Sequence, residues 1–306
     1  MLAAAAVLVG IVLLAYASDQ FVIGAARVAR LRNLPPVVVG VVIIGFGTSS
    51  PELLVSVLAA IEGEPGVAIG NVVGSNLANL TLLIGVGAAM VTLEVNRDTV
   101  RREAVLAIIA TAAFGLAVQG GGLTRLEGAA LSVAMVAVLA YVVYAAASDD
   151  MEHEPDPESG IGREALRLLL GLAGTIAGAQ LLLSGALELA DRAGLSAGFV
   201  GATLVAMGTS LPELVTVIQS ARRKATGLIV GNLLGSNLFN SLGVAGAIGL
   251  AGGTGIDDAP ITGLAVIASI VAAVAAGIAM WTDYRVTRRE GVVLVLAYVI
   301  LVPILA

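Results

Sequence analysis

The sequence predicts an all-α integral membrane protein, with ten transmembrane helices arranged as two inverted five-helix repeats and discontinuous helices at the midplane of the bilayer. Its composition, its number of apolar segments and a duplicated motif each indicate this fold class. Hydrophobic residues make up 58% of the chain and charged residues 12%, whereas soluble domains average about 25% charged residues. The chain is therefore expected to cross a membrane several times.

The apolar segments are long enough and numerous enough for ten spans. A spanning helix needs about 17 to 25 residues that are mostly apolar. We expect the spans near 2–26, 36–61, 66–92, 100–119, 125–147, 165–190, 197–220, 226–251, 260–281 and 290–306. One hydrophilic stretch divides them into an N-terminal five-helix repeat (1–147), an acidic cytoplasmic linker (148–164) and a C-terminal five-helix inverted repeat (165–306).

The basic residues predict the orientation. Fourteen of the 16 lysine and arginine residues lie in odd-numbered connections between the spans. Because cytoplasmic loops are enriched in Lys and Arg, we place these connections in the cytoplasm and both termini outside the cell, and we expect a multi-pass protein of the plasma membrane. The net charge of −6 gives no indication of nucleic-acid binding, and the absence of cysteine excludes disulfides and thiolate metal sites.

A segment of the chain occurs twice. GTSSPE at 47–52 returns as GTSLPE at 208–213, and GNVVGSNLAN at 70–79 returns as GNLLGSNLFN at 231–240, so the offset between the copies is the same for both motifs. Five predicted crossings separate each copy from its counterpart, so the two copies must run in opposite directions through the membrane. Inverted repeats of this kind place the substrate site of a transporter near the midplane, where the halves meet.

Each copy places a glutamate, Glu52 or Glu213, in the middle of an apolar span. Hydrocarbon penalises an ionisable group by several kcal/mol, so an intramembrane carboxylate indicates a functional site. The proline before each glutamate cannot donate a helical hydrogen bond to the carbonyl four residues earlier, which frees the carbonyls of Gly47 and Gly208. In lipid, such a carbonyl must find another partner.

Oxygen-bearing side chains accompany the two glutamates. Residues three or four apart share a helix face. The residues that share a face with a glutamate, or form a matching stripe on the next span, are Thr48, Ser49, Thr209, Ser210, Asn71, Ser75, Asn79, Asn232, Ser236 and Asn240. None carries a positive charge, and with the carboxylates and freed carbonyls they offer the six to eight oxygens that Ca2+ prefers. The sequence therefore predicts a site for Ca2+ or Na+ between the two copies.

The glycines of the second motif have a simpler interpretation. Gly70 and Gly74, like Gly231 and Gly235, are four residues apart. Small residues at this spacing let membrane helices approach closely, so we expect these glycines to serve helix packing rather than ion binding.

The paired motifs resemble the two alpha-repeats of the calcium/cation antiporter superfamily, which includes the Na+/Ca2+ exchangers and their prokaryotic relatives. The GTS-x-PE and GN-x-x-GSN-x-x-N segments both occur twice and in the right order, and the likeness covers essentially the whole chain. It implies a secondary active antiporter that exchanges Ca2+ for Na+ by alternating access, not an enzyme. We expect the lipid bilayer and the transported ions as its partners, no cofactor, and a monomer.

The resemblance also implies roles for individual residues. Glu52 and Glu213 are expected to be the central calcium ligands. Thr48 and Thr209 are expected to contribute backbone oxygens. Asn79 and Asn240 are expected to complete the middle of the site. The residues expected to line the sodium positions are Ser49, Ser210, Ser75 and Ser236. Spans one and six are expected to slide against a bundle formed by the other eight.

One departure from the family pattern leaves the counter-ion open. Some sodium-coupled relatives carry an acidic residue at the position of Asn240, whereas both copies here have asparagine. Two close carboxylates repel each other without a cation, and a proton relieves that repulsion as sodium does. Na+/Ca2+ exchange is therefore our first prediction, with H+/Ca2+ or K+-linked exchange as the alternative and a cation channel with a continuous pore below it. An intramembrane hydrolase is disfavoured because no span contains His or Cys.

Overall fold

The structure is a computed structural model that describes residues 2–32, 34–146, 160–193, 206–252, 254–255 and 261–305. These residues are helical over most of their length. The first half contains α1 (Leu2–Leu31), α2 (Pro36–Val39, Gly40–Gly45 and Phe46–Thr48 in succession), α3 (Ser50–Ile61), α4 (Pro65–Ala78, Asn79–Leu83 and Ile84–Met90), α5 (Arg97–Thr99, Val100–Ala104 and Val105–Val118) and α6 (Arg125–Ala146).

The second half follows a similar order of elements. It contains α7 (Ile161–Arg192), α8 (Ala206–Thr209), α9 (Leu211–Arg222), α10 (Thr226–Leu238, Phe239–Val244 and Ala245–Gly252), α11 (Ile261–Ala265 and Val266–Trp281) and α12 (Arg288–Leu305). Five stretches within these helices are π-helical, namely Gly40–Gly45, Asn79–Leu83, Val100–Ala104, Phe239–Val244 and Ile261–Ala265.

Two short antiparallel ladders join connections of one half to connections of the other. β1 (Leu93–Glu94) pairs with β4 (Arg285–Val286), with Leu93 opposite Val286. β2 (Gly122–Leu123) pairs with β3 (Thr254–Gly255), with Gly122 opposite Gly255. Each ladder therefore ties the two halves together outside the helices.

Six helices of the described residues are long and apolar enough to cross a bilayer, or seven if the bent pair α2 and α3 is counted as one span. The six are α1, α4, α6, α7, α10 and α11. The predicted fourth and tenth spans are helical too, as α5 and α12, but charged residues occupy their first turns. The predicted seventh span begins outside the described residues. The helical membrane fold is confirmed, whereas the number of ten spans stays a prediction.

α7 begins at Ile161, so its first turn overlaps the end of the linker predicted at 148–164, and the domain bounds stay a prediction. Glu164, the last residue of that predicted linker, is fully buried. Arg27 of α1 donates to its Oε1 at 3.0 Å, and Arg167 Nε lies 3.5 Å from its Oε2. A buried carboxylate needs such partners, so this residue fastens α7 to α1. Residues 148–159 of the linker lie outside the described residues.

The helices that carry the two glutamates are both interrupted. The first break is at Ser49, between α2 and α3, where the chain bends by 44°. The second is at Ser210, between α8 and α9. The two serines share nearly the same backbone angles, φ −84° and ψ 8° for Ser49 and φ −88° and ψ 7° for Ser210. A proline in the first turn of α3 and α9 fits there because that turn has no helical partner for an N–H. The predicted discontinuity is confirmed.

α1 and α7 pack so closely that their backbones touch. A Cβ on Gly171 would lie 2.5 Å from Phe21 N, and one on Gly178 would lie 2.6 Å from Leu14 N. Small residues permit this approach between membrane helices. The two long helices therefore form a pair of their own.

Glycine also brings α10 against α2. A Cβ on Gly235 would lie 2.5 Å from the carbonyl oxygen of Val41, and one on Gly231 would collide with the backbone of Val37. The packing role predicted for Gly231 and Gly235 is confirmed, whereas the same prediction for Gly74 is wrong, because a Cβ there would have no atom within 4 Å. The close packing of Gly231 and Gly235 places α10, which carries Ser236 and Asn240, directly beside α2, which leads to Glu52.

Candidate ion-binding site

Both glutamates are buried at the start of a helix. Glu52 lies in the first turn of α3 and Glu213 in the first turn of α9, and each is 1% exposed. The first turn of a helix has unpaired N–H groups and the positive end of the helix dipole, which favour a negative charge. The broken helices thus place each carboxylate where the backbone tolerates it inside an apolar protein.

A pair of hydrogen bonds links the two copies reciprocally. Ser49 Oγ, one turn before Glu52, donates to Glu213 Oε1 at 3.0 Å. Ser210 Oγ, one turn before Glu213, donates to Glu52 Oε1 at 3.3 Å. Residues one helical turn apart lie about 5 to 6 Å apart. The two carboxylates therefore face each other across a gap of about one helical turn, as the duplication predicts.

Four buried side-chain oxygens of the predicted ligands have no hydrogen-bond partner among the described residues. They are Glu52 Oε2, Glu213 Oε2, Asn79 Oδ1 and Asn240 Oδ1. An unpaired buried acceptor costs about 1 to 3 kcal/mol, and more when it is charged. Unpaired oxygens supplied by both halves are the groups that a cation would satisfy.

The carboxylate count limits the ions that this arrangement suits. Within the described residues, no three side chains of the His, Cys, Asp and Glu types come together. A site at the helix breaks thus has two carboxylates and depends on neutral oxygens for the rest. Calcium and sodium accept neutral oxygen ligands, whereas a firmly held catalytic metal generally takes three protein ligands from His, Cys or carboxylates.

Thr48 contacts the backbone of its own helix and a residue of the opposite half. Its Oγ1 donates to the carbonyl of Ile44 at 3.0 Å and lies 3.2 Å from Asn232 Oδ1. Its hydroxyl proton is thus engaged, which agrees with an expected contribution through its backbone oxygen. Thr209, its counterpart, is buried at the end of α8.

The two predicted serines on α4 and α10 differ in their contacts. Ser236 Oγ donates to the carbonyl of Gly45 at 3.4 Å, so it contacts the π-helical stretch before the first break. Ser75 is 4% exposed on α4. Both lie one turn before their predicted asparagine, Asn79 or Asn240, and α4 and α10 therefore carry the same polar face toward the breaks.

The two glycines with predicted free carbonyls lie under α7. A Cβ on Gly47 would meet Leu172 Cδ2 at 2.8 Å, and one on Gly208 would meet Leu183 Cδ1 at 2.6 Å. The N–H of Ser49 still donates to the carbonyl of Gly45 at 3.2 Å, so helical bonding continues up to the first break. Leu172 and Leu183 of α7 thus pack against the glycines that precede the two breaks.

Three asparagines have contacts that the sequence did not assign. Asn71 Nδ2 donates to the carbonyl of Glu52 at 3.3 Å and to Ser56 Oγ at 2.9 Å, which holds α4 against α3. Asn76 Nδ2 donates to Ser241 Oγ at 2.8 Å, and Asn237 Nδ2 to the carbonyl of Leu233 at 2.7 Å. The sequence placed Asn71 on the polar stripe of α4, and for Asn76 and Asn237 the only signal was their presence in the duplicated motif. The bonds of Asn71 and Asn76 join separate helices, whereas that of Asn237 stays within α10.

A helical membrane fold with a buried carboxylate pair at two helix breaks is typical of secondary transporters. The family model described as sodium/calcium exchanger protein matches residues 2–146 and 164–306 of the chain. The chain belongs to this exchanger family.

The names of two related proteins and of one solved structure agree with this family. The proposed antiporter CaxA of Alkalimonas amylolytica is 36% identical over 304 residues, covering 96% of this chain and 95% of that protein. The sodium/calcium exchanger MaX1 of Methanosarcina acetivorans is 26% identical over 342 residues, covering 97% of each. A solved structure of the sodium-calcium exchanger NCX_Mj matches with a TM-score of 0.88 at 27% identity, covering 99% of this chain and 98% of that one.

Proposed function

We propose that the protein is a secondary active antiporter that exchanges Ca2+ for Na+ by alternating access. The observation that carries the proposal is the reciprocal bonding of Ser49 to Glu213 and of Ser210 to Glu52, which brings one carboxylate from each half to a common gap. The names of MaX1 and NCX_Mj, both sodium/calcium exchangers, support the same pair of ions.

The buried carboxylates also explain how two fluxes are coupled. Two carboxylates without a cation are uncompensated charges in a low-dielectric interior, which costs several kcal/mol per ion. One Ca2+, or the coupling monovalent cations, compensates them, but both cannot occupy the gap together. Only the loaded forms then reorient at a useful rate, so each Ca2+ that moves one way requires counter-ions to move the other way.

We assign the ligands as the sequence predicts. Glu52 and Glu213 bind Ca2+ centrally, Asn79 and Asn240 complete the middle of the site, and the remaining oxygens surround it. Those are the side chains of Ser49, Ser75, Ser210 and Ser236 and the backbone oxygens of Gly47, Thr48, Gly208 and Thr209. The unpaired oxygens of both glutamates and both asparagines support this assignment.

Ten spans in two inverted five-helix repeats, 1–147 and 165–306 around a linker, complete the proposed architecture. Several features recur at the same offset as the duplicated motifs: β1 and β3, and the π-helical stretches at Val100–Ala104 and Ile261–Ala265. The ladders pair β1 with β4 and β2 with β3. A two-fold axis that relates β1 to β3 and β2 to β4 would turn one ladder into the other. The arginine-rich connections then face the cytoplasm of a plasma-membrane protein, and one chain supplies both halves of the site, so a monomer suffices.

Calcium flux in proteoliposomes tests the function and the counter-ion together. Sodium, potassium and proton gradients are imposed separately, and we expect an outward sodium gradient to drive Ca2+ uptake. Calcium entry without any opposing gradient would identify a channel and contradict the antiporter. Uptake driven by a pH jump in sodium-free buffer, but not by sodium, would identify H+/Ca2+ exchange, the alternative that the asparagines at 79 and 240 favour.

A further inference from the structure

The half of α9 that follows Glu213 carries polar side chains that its counterpart in α3 lacks. Thr216 and Ser220 follow Glu213 by three and seven residues and share its helix face. When the two copies are aligned on Glu52 and Glu213, the equivalent positions of α3 are Val55 and Ala59. α3 has one buried hydroxyl beyond its carboxylate, that of Ser56, and it accepts from Asn71 Nδ2 at 2.9 Å. Only α9 therefore carries two successive buried hydroxyls without a partner beyond its carboxylate.

The two hydroxyls are unusual in having no partner. Thr216 and Ser220 are fully buried, and neither hydroxyl has a hydrogen-bond partner among the described residues. Other buried hydroxyls of the helices, those of Thr81, Thr111 and Thr175, donate to the carbonyl four residues earlier, as is common in helices. Since an unpaired buried hydroxyl costs about 1 to 3 kcal/mol, these two are available to a ligand.

A groove of about 750 Å³ opens between α1 and α9 at the end of this face. Its lining includes Ala15 and Asp19 of α1 and Gln219 and Arg223 at the end of α9. Gln219 Nε2 donates to the carbonyl of Ala15 at 3.1 Å, and Arg223 Nε donates to Asp19 Oδ1 at 3.0 Å. The ion pair compensates the charge of Arg223, whereas Arg222, which also lines the groove, leaves one positive charge at its rim.

The hydroxyls span the distance between the groove and the carboxylate. Ser220 is next to Gln219, and at a rise of about 1.5 Å per residue it lies about 6 Å along the helix from Thr216, which lies about 4.5 Å from Glu213. A cation can exchange one oxygen ligand for the next over such steps. Hydroxyls carry no charge, so they bind a cation weakly enough to release it.

We propose that the Thr216 and Ser220 face of α9 is the route by which cations pass between Glu213 and the arginine-rich side of the membrane, with the groove as its mouth. The inference rests on the proposed exchange function. The face of α3 with Val55 and Ala59 provides no such line of oxygens, so cations reach the site from the two sides of the membrane along chemically different paths.

Cysteine labelling tests the route directly, because the chain has no cysteine of its own. Thr216→Cys and Ser220→Cys are reconstituted and exposed, from one side at a time, to a small cationic thiol reagent that does not cross membranes. Lys224→Cys, in the exposed connection after α9, marks the arginine-rich side, and Val55→Cys and Ala59→Cys are the matched controls. We expect both α9 cysteines to react from the marked side about ten times faster than the controls, and Ca2+ to slow the reaction.

Two results would overturn the route: reaction of the α9 cysteines only from the opposite side, or reaction no faster than that of the α3 cysteines. A second measurement needs no labelling. The double variant Thr216→Val with Ser220→Ala takes the residues of α3, and we expect it to slow Ca2+ exchange at least about fivefold, whereas Val55→Thr with Ala59→Ser leaves the rate within about twofold.

The outcomes separate this inference from the function on which it rests. If the unmodified protein exchanges Ca2+ and the α9 double variant does so at a normal rate, the route is wrong and the antiporter stands. If the unmodified protein moves no Ca2+ under any gradient, the proposed function fails instead.

Discussion

The two copies of the repeated segment agree where they meet and differ in the helical turns that follow each glutamate. At the centre, Ser49 and Glu52 have the same backbone break and mirrored hydrogen bonds as Ser210 and Glu213. Beyond Glu52, α3 has one buried hydroxyl, that of Ser56, whereas α9 has two beyond Glu213, those of Thr216 and Ser220. The shared part joins the two carboxylates, and in the proposed inverted architecture the differing parts lead to opposite sides of the membrane.

The largest effect is expected from the carboxylates themselves. Glu52→Gln or Glu213→Gln removes one of two charges that compensate a cation, and we expect either change to reduce Ca2+ exchange by about 100-fold or more. Calcium flux in proteoliposomes measures it. The matched control is Glu62→Gln at the exposed end of α3, which should leave exchange unchanged. Near-normal flux in both site variants would remove the carboxylates from the mechanism.

A glycine beside the first break gives the next largest effect. A Cβ on Gly45 would lie 2.8 Å from the backbone N of Ser236, so Gly45→Ala must push α10 away from α2. We expect loss of most exchange and a lower yield of folded protein. At Gly47 the added Cβ meets only the end of the Leu172 side chain, which can move. Gly47→Ala should therefore be folded and active, and equal damage from both variants would contradict the close approach of the helices.

The two serines at the breaks test whether the halves contribute equally. Ser49→Ala and Ser210→Ala each remove a hydrogen bond to a carboxylate, an interaction of about 1.5 to 3 kcal/mol. We expect each to weaken the apparent affinity for Na+ by about tenfold, and the two effects to agree within about threefold. Sodium activation of Ca2+ flux measures both. A large effect of one serine with none from the other would contradict the mirrored geometry.

The smallest effect is expected at the ion pair between Asp19 and Arg223. Both side chains are partly exposed, and such pairs contribute about 0.2 to 1 kcal/mol. The positions equivalent to them are Gln180 and Glu62, which cannot form an ion pair. Asp19→Asn should lower the Tm by no more than about 2 °C. A larger fall in Tm, measured by thermal denaturation, would show that the ion pair stabilises the contact between α1 and α9 by more than a surface pair does.

The sequence predicts the two helix breaks and their glutamates well, because the segment that carries them is duplicated and lies within apolar spans. An acid such as Glu52 cannot occupy a span without a function or a partner, and a proline beside it breaks the helix. These two rules identify the breaks, and the constant offset between the two copies predicts that the carboxylates meet. The four-residue spacing of the glycines predicts the close packing of Gly231 and Gly235 but fails at Gly74, which packs against nothing.

The features that the sequence does not predict are contacts between residues far apart in the chain. Glu164 looks like part of an acidic linker, and only its pairing with Arg27 reveals a buried residue of α7. The bond from Asn76 to Ser241 joins residues of opposite halves, and the position equivalent to Ser241 is Leu80, so the repeat gives no signal for it. The unpaired state of Thr216 is likewise visible only once its neighbours are placed.

Competition between Ca2+ and Na+ in equilibrium binding to the purified protein tests the central claim most directly. If one gap between Glu52 and Glu213 serves both ions in turn, Na+ raises the apparent Kd for Ca2+ without changing the number of calcium sites, and either glutamine variant abolishes calcium binding. Calcium binding that is indifferent to Na+, or that persists in both variants, would contradict a shared site.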